Sequence, residues 1–114
     1  MKIEKFEDLI SWQKAEKLTV EIYKQFKNCK DYSFKNQIER ASVSIMNNIA
    51  EGFERNTNKE MINFMYIAKG SSGEVRSMLN LALKFNYISK DEFKIDYNLS
   101  IEISRLLSGF IKTL

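Results

Sequence analysis

The stretch "SIMNNIAEGFER", Ser44–Arg55, sets Ile45 and Ile49 four apart and crowds Asn47, Asn48, Glu51 and Arg55 around them. Apolar residues at that interval lie on one face of a helix; a strand would need strict alternation. Extending the stretch backwards adds Phe34, Ile38 and Ala41 to the same face. The spacing therefore predicts a helix over 33–54, with Ser33 as its N-cap and Gly52 with "ERNTN" closing it.

The same period recurs on both sides. Leu9, Trp12, Ala15, Leu18, Ile22 and Phe26 predict a helix over 7–28 that ends near "NCKDYS". Downstream, Thr57 or Asn58 can cap a third helix over 58–86, with Glu60 in its first turn and an inward stripe of Met61, Phe64, Ala68, Ser71, Val75, Met78 and Ala82, stopping around "FNYIS". Ser89, followed by Asp91 and Glu92, opens a fourth over 90–113, with Leu99, Ile103, Leu106 and Phe110 facing inward. Short links between long amphipathic helices favour antiparallel neighbours. The expected fold is all-α: one domain, residues 1–114, forming an antiparallel up-down-up-down four-helix bundle.

Composition agrees. There is no proline and only four glycines in 114 residues, which speaks against a turn-rich β architecture. With 44% hydrophobic and 29% charged residues the chain has the balance of a globular domain and is too apolar for a disordered one. "MKIEKFEDL" mixes charges where a secretion signal needs an apolar run, and "RLLSGFIKTL" falls short of the roughly 20 residues that span a bilayer. The single cysteine, Cys29, cannot form an intrachain disulfide, so the cytoplasm is the expected compartment and no membrane partner is expected.

Helix two carries more apolar surface than one core needs, because Val43, Met46, Ala50 and Phe53 flank its main stripe. Extra apolar width implies a second contact, and self-association is the leading expectation for partners. Arg40, Ser44, Asn48, Glu51 and Arg55 form a continuous polar stripe along the same helix. Read plainly it is a solvent face, with Glu51 and Arg55 an i,i+4 pair contributing about 0.2–0.5 kcal/mol. The sharper reading pinches the stripe at a helix or subunit boundary, where losing one partner would cost roughly 3–5 kcal/mol.

Three motifs, "FEDLISWQKAEKL" (Phe6–Leu18), "QIERASVSIMNNIAEGFER" (Gln37–Arg55) and "FMYIAKGSSGEV" (Phe64–Val75), occur in order over nearly the whole chain. Together they resemble the four-helix-bundle family of 23S rRNA intervening-sequence proteins. The resemblance implies a small bundle that assembles as a homopentamer. Arg40, Asn48, Glu51, Gly52 and Arg55 match the family's polar motif on helix two, and Gly70, Ser71 and Glu74 its motif on helix three, with no catalytic role attached. The sequence departs from relatives at Met46, Asn47 and Gly73. More distantly the chain is similar to the accessory variability determinant protein of diversity-generating retroelements, a basic pentamer that binds nucleic acid and the reverse transcriptase.

Chemistry-bearing residues are sparse. "GSSGE" lacks the spacing and the Gly-Lys-Ser/Thr ending of a phosphate loop and sits inside a helical pattern. Close packing at Gly70 and Gly73, with Ser71 inward and a neighbour touching, accounts for it better. The absence of histidine removes the commonest general base and metal ligand and excludes Glu-x-x-His di-iron pairs. Glu51 with Glu54, and Asp91, Glu92 and Asp96, read as surface and helix-start charges and not as a cation site. Cys29 lies near Lys27 and Lys30 but reads as structural. No catalytic residue, cofactor, metal or small-molecule substrate is expected.

Nucleic acid is the alternative partner. The net charge is only +3 and evenly spread: ten basic and nine acidic residues up to Thr57, eight and six from Asn58. Lys14, Lys17, Lys24 and Lys27 cluster on helix one as candidate contacts, extended by Lys30 and Lys35 but interrupted by Glu16 and Glu21. Five copies would carry about +15 and repeat each patch around a ring, enough for weak, salt-sensitive, sequence-nonspecific binding of RNA or DNA. The expected function is thus a non-enzymatic, homo-oligomeric binding or scaffold module, with nucleic-acid binding as the alternative.

Overall fold

A computed structural model describes residues 3–114; the first two residues of the expected domain lie outside the described ones. A 3-10 turn at Phe6–Asp8 leads into four helices: α1 (Ile10–Gln25), α2 (Tyr32–Phe53), α3 (Asn58–Lys84) and α4 (Lys90–Lys112). Each packs on its neighbours in chain order and α4 closes back onto α1, while the diagonal pairs α1/α3 and α2/α4 bring no Cα atoms within 8 Å of each other. The all-α four-helix bundle follows, drawn out to 42 Å along its longest axis. That is about the length of 27 helical residues at 1.5 Å each, the span of α3.

The core is a column of fully buried side chains, among them Leu18, Ile22, Ile38, Ile45, Ile49, Met65, Leu79, Ile103 and Leu107. The stripes read for helices one and two lie there, with Trp12 half-buried against Phe6. Two stripes are displaced. On α3, Met65 and Ser72 occupy the core positions expected of Phe64 and Ser71, and Met61, Phe64 and Ser71 are half-buried. On α4, Leu107 replaces Leu106, and Asp96 and Ser100 join the buried face; Leu106 and Phe110 are half-buried. A helix held between two neighbours buries the arc midway between them, and single-stripe spacing does not locate that midpoint.

The caps explain the boundaries. Asp31, not Ser33, caps α2: its Oδ1 accepts from the Phe34 N–H at 3.2 Å while its Oδ2 accepts from the Tyr87 hydroxyl at 2.7 Å. A carboxylate can serve two donors at once, which ties the start of α2 to the α3–α4 turn. Thr57 caps α3 by accepting from the Glu60 N–H, and Ser89 and Glu92 form a reciprocal capping box on α4. α3 ends in a Schellman motif: Tyr87 N–H reaches the Ala82 carbonyl, Asn86 N–H reaches Leu83, and Asn86 takes φ 61°. Asparagine tolerates that left-handed conformation better than most residues. α1 starts later than expected, because Leu9 is extended between the 3-10 turn and the helix, and stops earlier, at Gln25.

Gly52 lies within α2 and does not end it. A Cβ there would sit 2.6 Å from the Phe64 Cβ and 3.3 Å from the Met65 terminal methyl, so α2 and α3 meet at a spacing only glycine permits. Small hydroxyls serve the other close contacts. Thr19 donates to the Ser42 carbonyl between α1 and α2, Ser72 to the Ser100 carbonyl between α3 and α4, and Ser44 and Ser71 pair between α2 and α3.

Candidate functional site

The α2 polar stripe and the α3 motif form one seam. Asn48 Nδ2 donates to the Ser44 carbonyl and Oγ, Ser44 pairs with Ser71 Oγ at 3.0 Å, and Gln37 reaches the Glu74 carboxylate at 3.5 Å. Arg40, Ser44, Ala41 and Glu74 line a shallow depression between the two helices. At the far end Arg55 donates to Glu51 at 3.0 Å with its guanidinium 4.6 Å from the Phe64 ring centre. Both partners are substantially exposed, so this is a solvent-face pair within the chain. Gly70 has nothing within 4 Å and Gly73 meets only Arg76 at 3.9 Å. Among the described residues nothing approaches Gly70 closely, so the close neighbour expected there is one that another copy would have to supply.

The surplus apolar width of α2 is mostly absorbed at home: Val43, Met46, Ala50 and Phe53 are half-buried, and Met46 and Phe53 pack on the core. The exposed apolar side chains are spread over the helices: Tyr66, Ile67, Leu81 and Phe85 on α3 and its cap, Ile10, Val20 and Tyr23 on α1, Tyr32 at the start of α2 and Ile95 on α4.

Of the lysines on and just after α1, Lys14 pairs with Glu102 of α4 at 3.6 Å, while Lys17, Lys24 and Lys27 are exposed. A different basic grouping, with no signature in the linear sequence, lies between α3 and α4: Lys69, Arg76, Arg105 and Lys112 line one groove with no carboxylate among its walls. The two pairs are remote in sequence, and the members of each are seven residues apart on their own helix, so only the packing brings the pairs together.

Asp96, expected as a helix-start surface charge, is instead fully buried. It sits two turns into α4, on the face that meets α1. Gln25 Nε2 donates to its Oδ1 at 3.1 Å, leaving Asp96 Oδ2 and Gln25 Oε1 both buried without a partner. Burial pushes the Asp96 carboxyl up to about 7; the Gln25 hydrogen bond opposes this, and the negative charges of Glu21 and Glu92 reinforce it. A proton on Oδ2 would donate to Gln25 Oε1 and complete a two-bond acid–amide pair, satisfying both orphaned oxygens at once. At the same end, the Tyr87 hydrogen bond, followed by that of the Phe34 N–H, holds the Asp31 carboxyl below its usual range. Tyr87 in turn is pushed up to about 12, chiefly by donating to Asp31.

Among the described residues no group of three or more His, Cys, Asp or Glu side chains could hold a metal ion. Glu51 and Glu54 are exposed, and Asp91 and Glu92 lie in the first turn of α4. No described helix is long and apolar enough to cross a membrane.

Residues 7–109 match the 23S rRNA-intervening sequence protein family. The chain belongs to that family. A crystal structure of a protein of unknown function from the S23 ribosomal protein family of Bacteroides thetaiotaomicron VPI-5482 superposes with a TM-score of 0.84 at 29% identity, over 90% of this chain and 99% of that one. Comparison with curated proteins gives no match. The family assignment thus covers all four helices, including the seam at Gly52, and attaches no chemistry to any side chain.

Proposed function

We propose that this member of the 23S rRNA-intervening sequence protein family is a non-enzymatic scaffold that self-associates, with the outer face of α3 as its principal contact. The observation that carries this reading is a stripe pointing away from the core, in which Tyr66, Ile67, Leu81 and Phe85 are 44–55% exposed. Gly70, with open space above it, lies between the two apolar clusters, and the exposed Ser77 lies beside Leu81. A single subunit gains nothing from four half-exposed apolar side chains on one face. A second copy covers them and approaches closely where Gly70 offers no side chain.

A second apolar pair, Val20 and Tyr23, lies on α1, diagonally across the bundle from α3; Ile10 faces α4 beside Leu106 and Phe110. Two different faces suit a head-to-tail contact, α3 of one copy on α1 of the next, which forms a ring when the rotation between copies closes; a two-fold dimer would cover only one of them. Five copies is the number the family resemblance implies. A cytoplasmic setting fits the lone, half-buried Cys29.

Light scattering tests the reading. The expected mass is five times the 13.4 kDa of one chain, falling toward that of one chain in the double variant Ile67→Glu/Leu81→Glu. Gly70→Leu, harmless to an isolated subunit, is expected to weaken assembly as well. A double variant that keeps the wild-type mass would exclude the α3 face.

A further inference from the structure

We propose that the groove between α3 and α4 binds the phosphodiester backbone of a single-stranded nucleic acid. The groove is a shallow trough of about 500 Å³. Lys69 and Arg76 stand on its α3 wall, Arg105 and Lys112 on its α4 wall, with Ser104 and Ser108 between them. In a chain of 18 basic and 15 acidic residues, four cations with no carboxylate among the lining is a local excess that the net charge of +3 conceals.

The excess exists because the acids of both helices are turned elsewhere. Glu74 faces α2, where Gln37 donates to it, and Glu102 faces α1, where it pairs with Lys14. Glu60 is held by the Thr57 hydroxyl in the first turn of α3, and Asp91 and Glu92 stand in the first turn of α4, several turns from Arg105. Within the groove Arg76 Nη1 reaches Ser104 Oγ at 3.4 Å, which steadies the guanidinium and leaves its other donors free.

The arrangement selects the ligand. Seven residues of helix separate the two cations on each wall by about 10 Å, too far for one phosphate to engage both, whereas successive phosphates of a chain can. Arginine adds the fork geometry that grips phosphate oxygens in pairs. Two helices packed at about 8–10 Å form walls that admit one strand's backbone and not a duplex. No aromatic side chain lines the groove, so no base-stacking platform is present and sequence is not read. The only large apolar side chain there is Ile101, which is half-buried and offers nothing for insertion into a lipid surface. Lys69 and Arg76 lie on the α4-facing side of α3, apart from the Ile67/Leu81 stripe, so the proposal does not depend on self-association.

Fluorescence polarisation with labelled oligo-uridine RNA and oligo-thymidine DNA of about 20 nucleotides is the test, with light scattering on the same samples to record assembly separately. Four phosphate contacts predict a slope of log affinity against log salt of about −3, equivalent to about 50-fold weaker binding at 200 mM than at 50 mM salt. Arg105→Gln/Lys112→Gln should roughly halve that slope. Among the described residues neither side chain has a hydrogen-bond acceptor, and glutamine keeps the helix propensity, so this variant is expected to fold. Adding Arg76→Gln should reduce binding further. Lys17→Gln/Lys24→Gln/Lys27→Gln, on α1 and the turn after it, should leave affinity within about twofold. Binding to either oligonucleotide with this pattern supports the groove. Absence of binding at 50 mM salt, a salt-independent affinity, or loss confined to the α1 variant overturns it. Tighter capture of phosphatidylserine vesicles or polyglutamate than of both oligonucleotides overturns the choice of ligand.

Discussion

The seam along α2 and the Gln25–Asp96 pair between α1 and α4 are both polar interruptions in a helical bundle, and they behave as opposites. Along α2 the conspicuous charges, Glu51 and Arg55, are largely solvent-exposed and pair with each other, Arg55 lying over the Phe64 ring of α3, while the buried side of the seam is held by the Ser44–Ser71 hydroxyl pair and Asn48. Between α1 and α4 a single carboxyl is fully enclosed with one hydrogen bond and one bare oxygen. A dense charge pattern marks the place where water is available to solvate it; an isolated acid among apolar residues marks the costly one.

The sharpest way to break this comparison is to titrate it. The Asp96 carboxyl is raised from 3.8 to about 7 in the folded protein, so between those values the folded state holds a proton that the unfolded state has released. Its contribution to stability is therefore fully present below about pH 4, declines as pH rises, and is gone above about pH 7. Asp96→Asn keeps the shape and supplies a permanent donor toward Gln25 Oε1. Denaturant unfolding should show the two proteins similar at pH 4 and the variant ahead by about 2–4 kcal/mol at pH 8, since each tenfold change in proton affinity corresponds to about 1.36 kcal/mol. Taking the difference between the two proteins removes the titration of the other carboxylates, including Asp31, whose lowered value pulls stability in the opposite direction at acid pH.

Next in size is Gly52→Ala. The added methyl meets a Cβ rather than the flexible tip of a side chain, so α2 and α3 must separate. A net loss of about 1–3 kcal/mol is expected in thermal unfolding despite alanine's better helix propensity. Ser72→Ala removes a fully buried hydroxyl that serves the Ser100 carbonyl and receives Ser104, and should cost about 1 kcal/mol in the same assay. Glu51→Ala should be smallest, within about 0.5 kcal/mol of wild type. A loss of 3 kcal/mol or more there would show that another subunit buries the pair, and would erase the contrast with Asp96.

Much of the fold is legible in the sequence because helix periodicity and caps are local. Leu18, Ile22, Ile38 and Ile45 are where their spacing puts them, and Thr57 and Ser89 cap the helices they precede. What misleads is geometry between helices. Asp31 displaces Ser33 as a cap because Tyr87, 56 residues away, uses its second oxygen. The core of α3 is centred one residue later than its apolar pattern indicates, and Asp96 looks like one more acid after Asp91 and Glu92, although only those two are in the first turn. The basic groove is hidden for the same reason: Arg76 and Arg105 become neighbours only when α3 and α4 pack. Family membership is legible from three motifs; a site is not, and within the subunit Gly52, Ser44 and Ser71 of those motifs pack α2 against α3.

Sedimentation equilibrium of the unaltered protein across a range of concentrations tests the central claim most directly. The account predicts a particle several times the mass of one chain, persisting at micromolar concentration because the exposed faces of α3 and α1 are covered by neighbours. A single 13.4 kDa species at every concentration would contradict it.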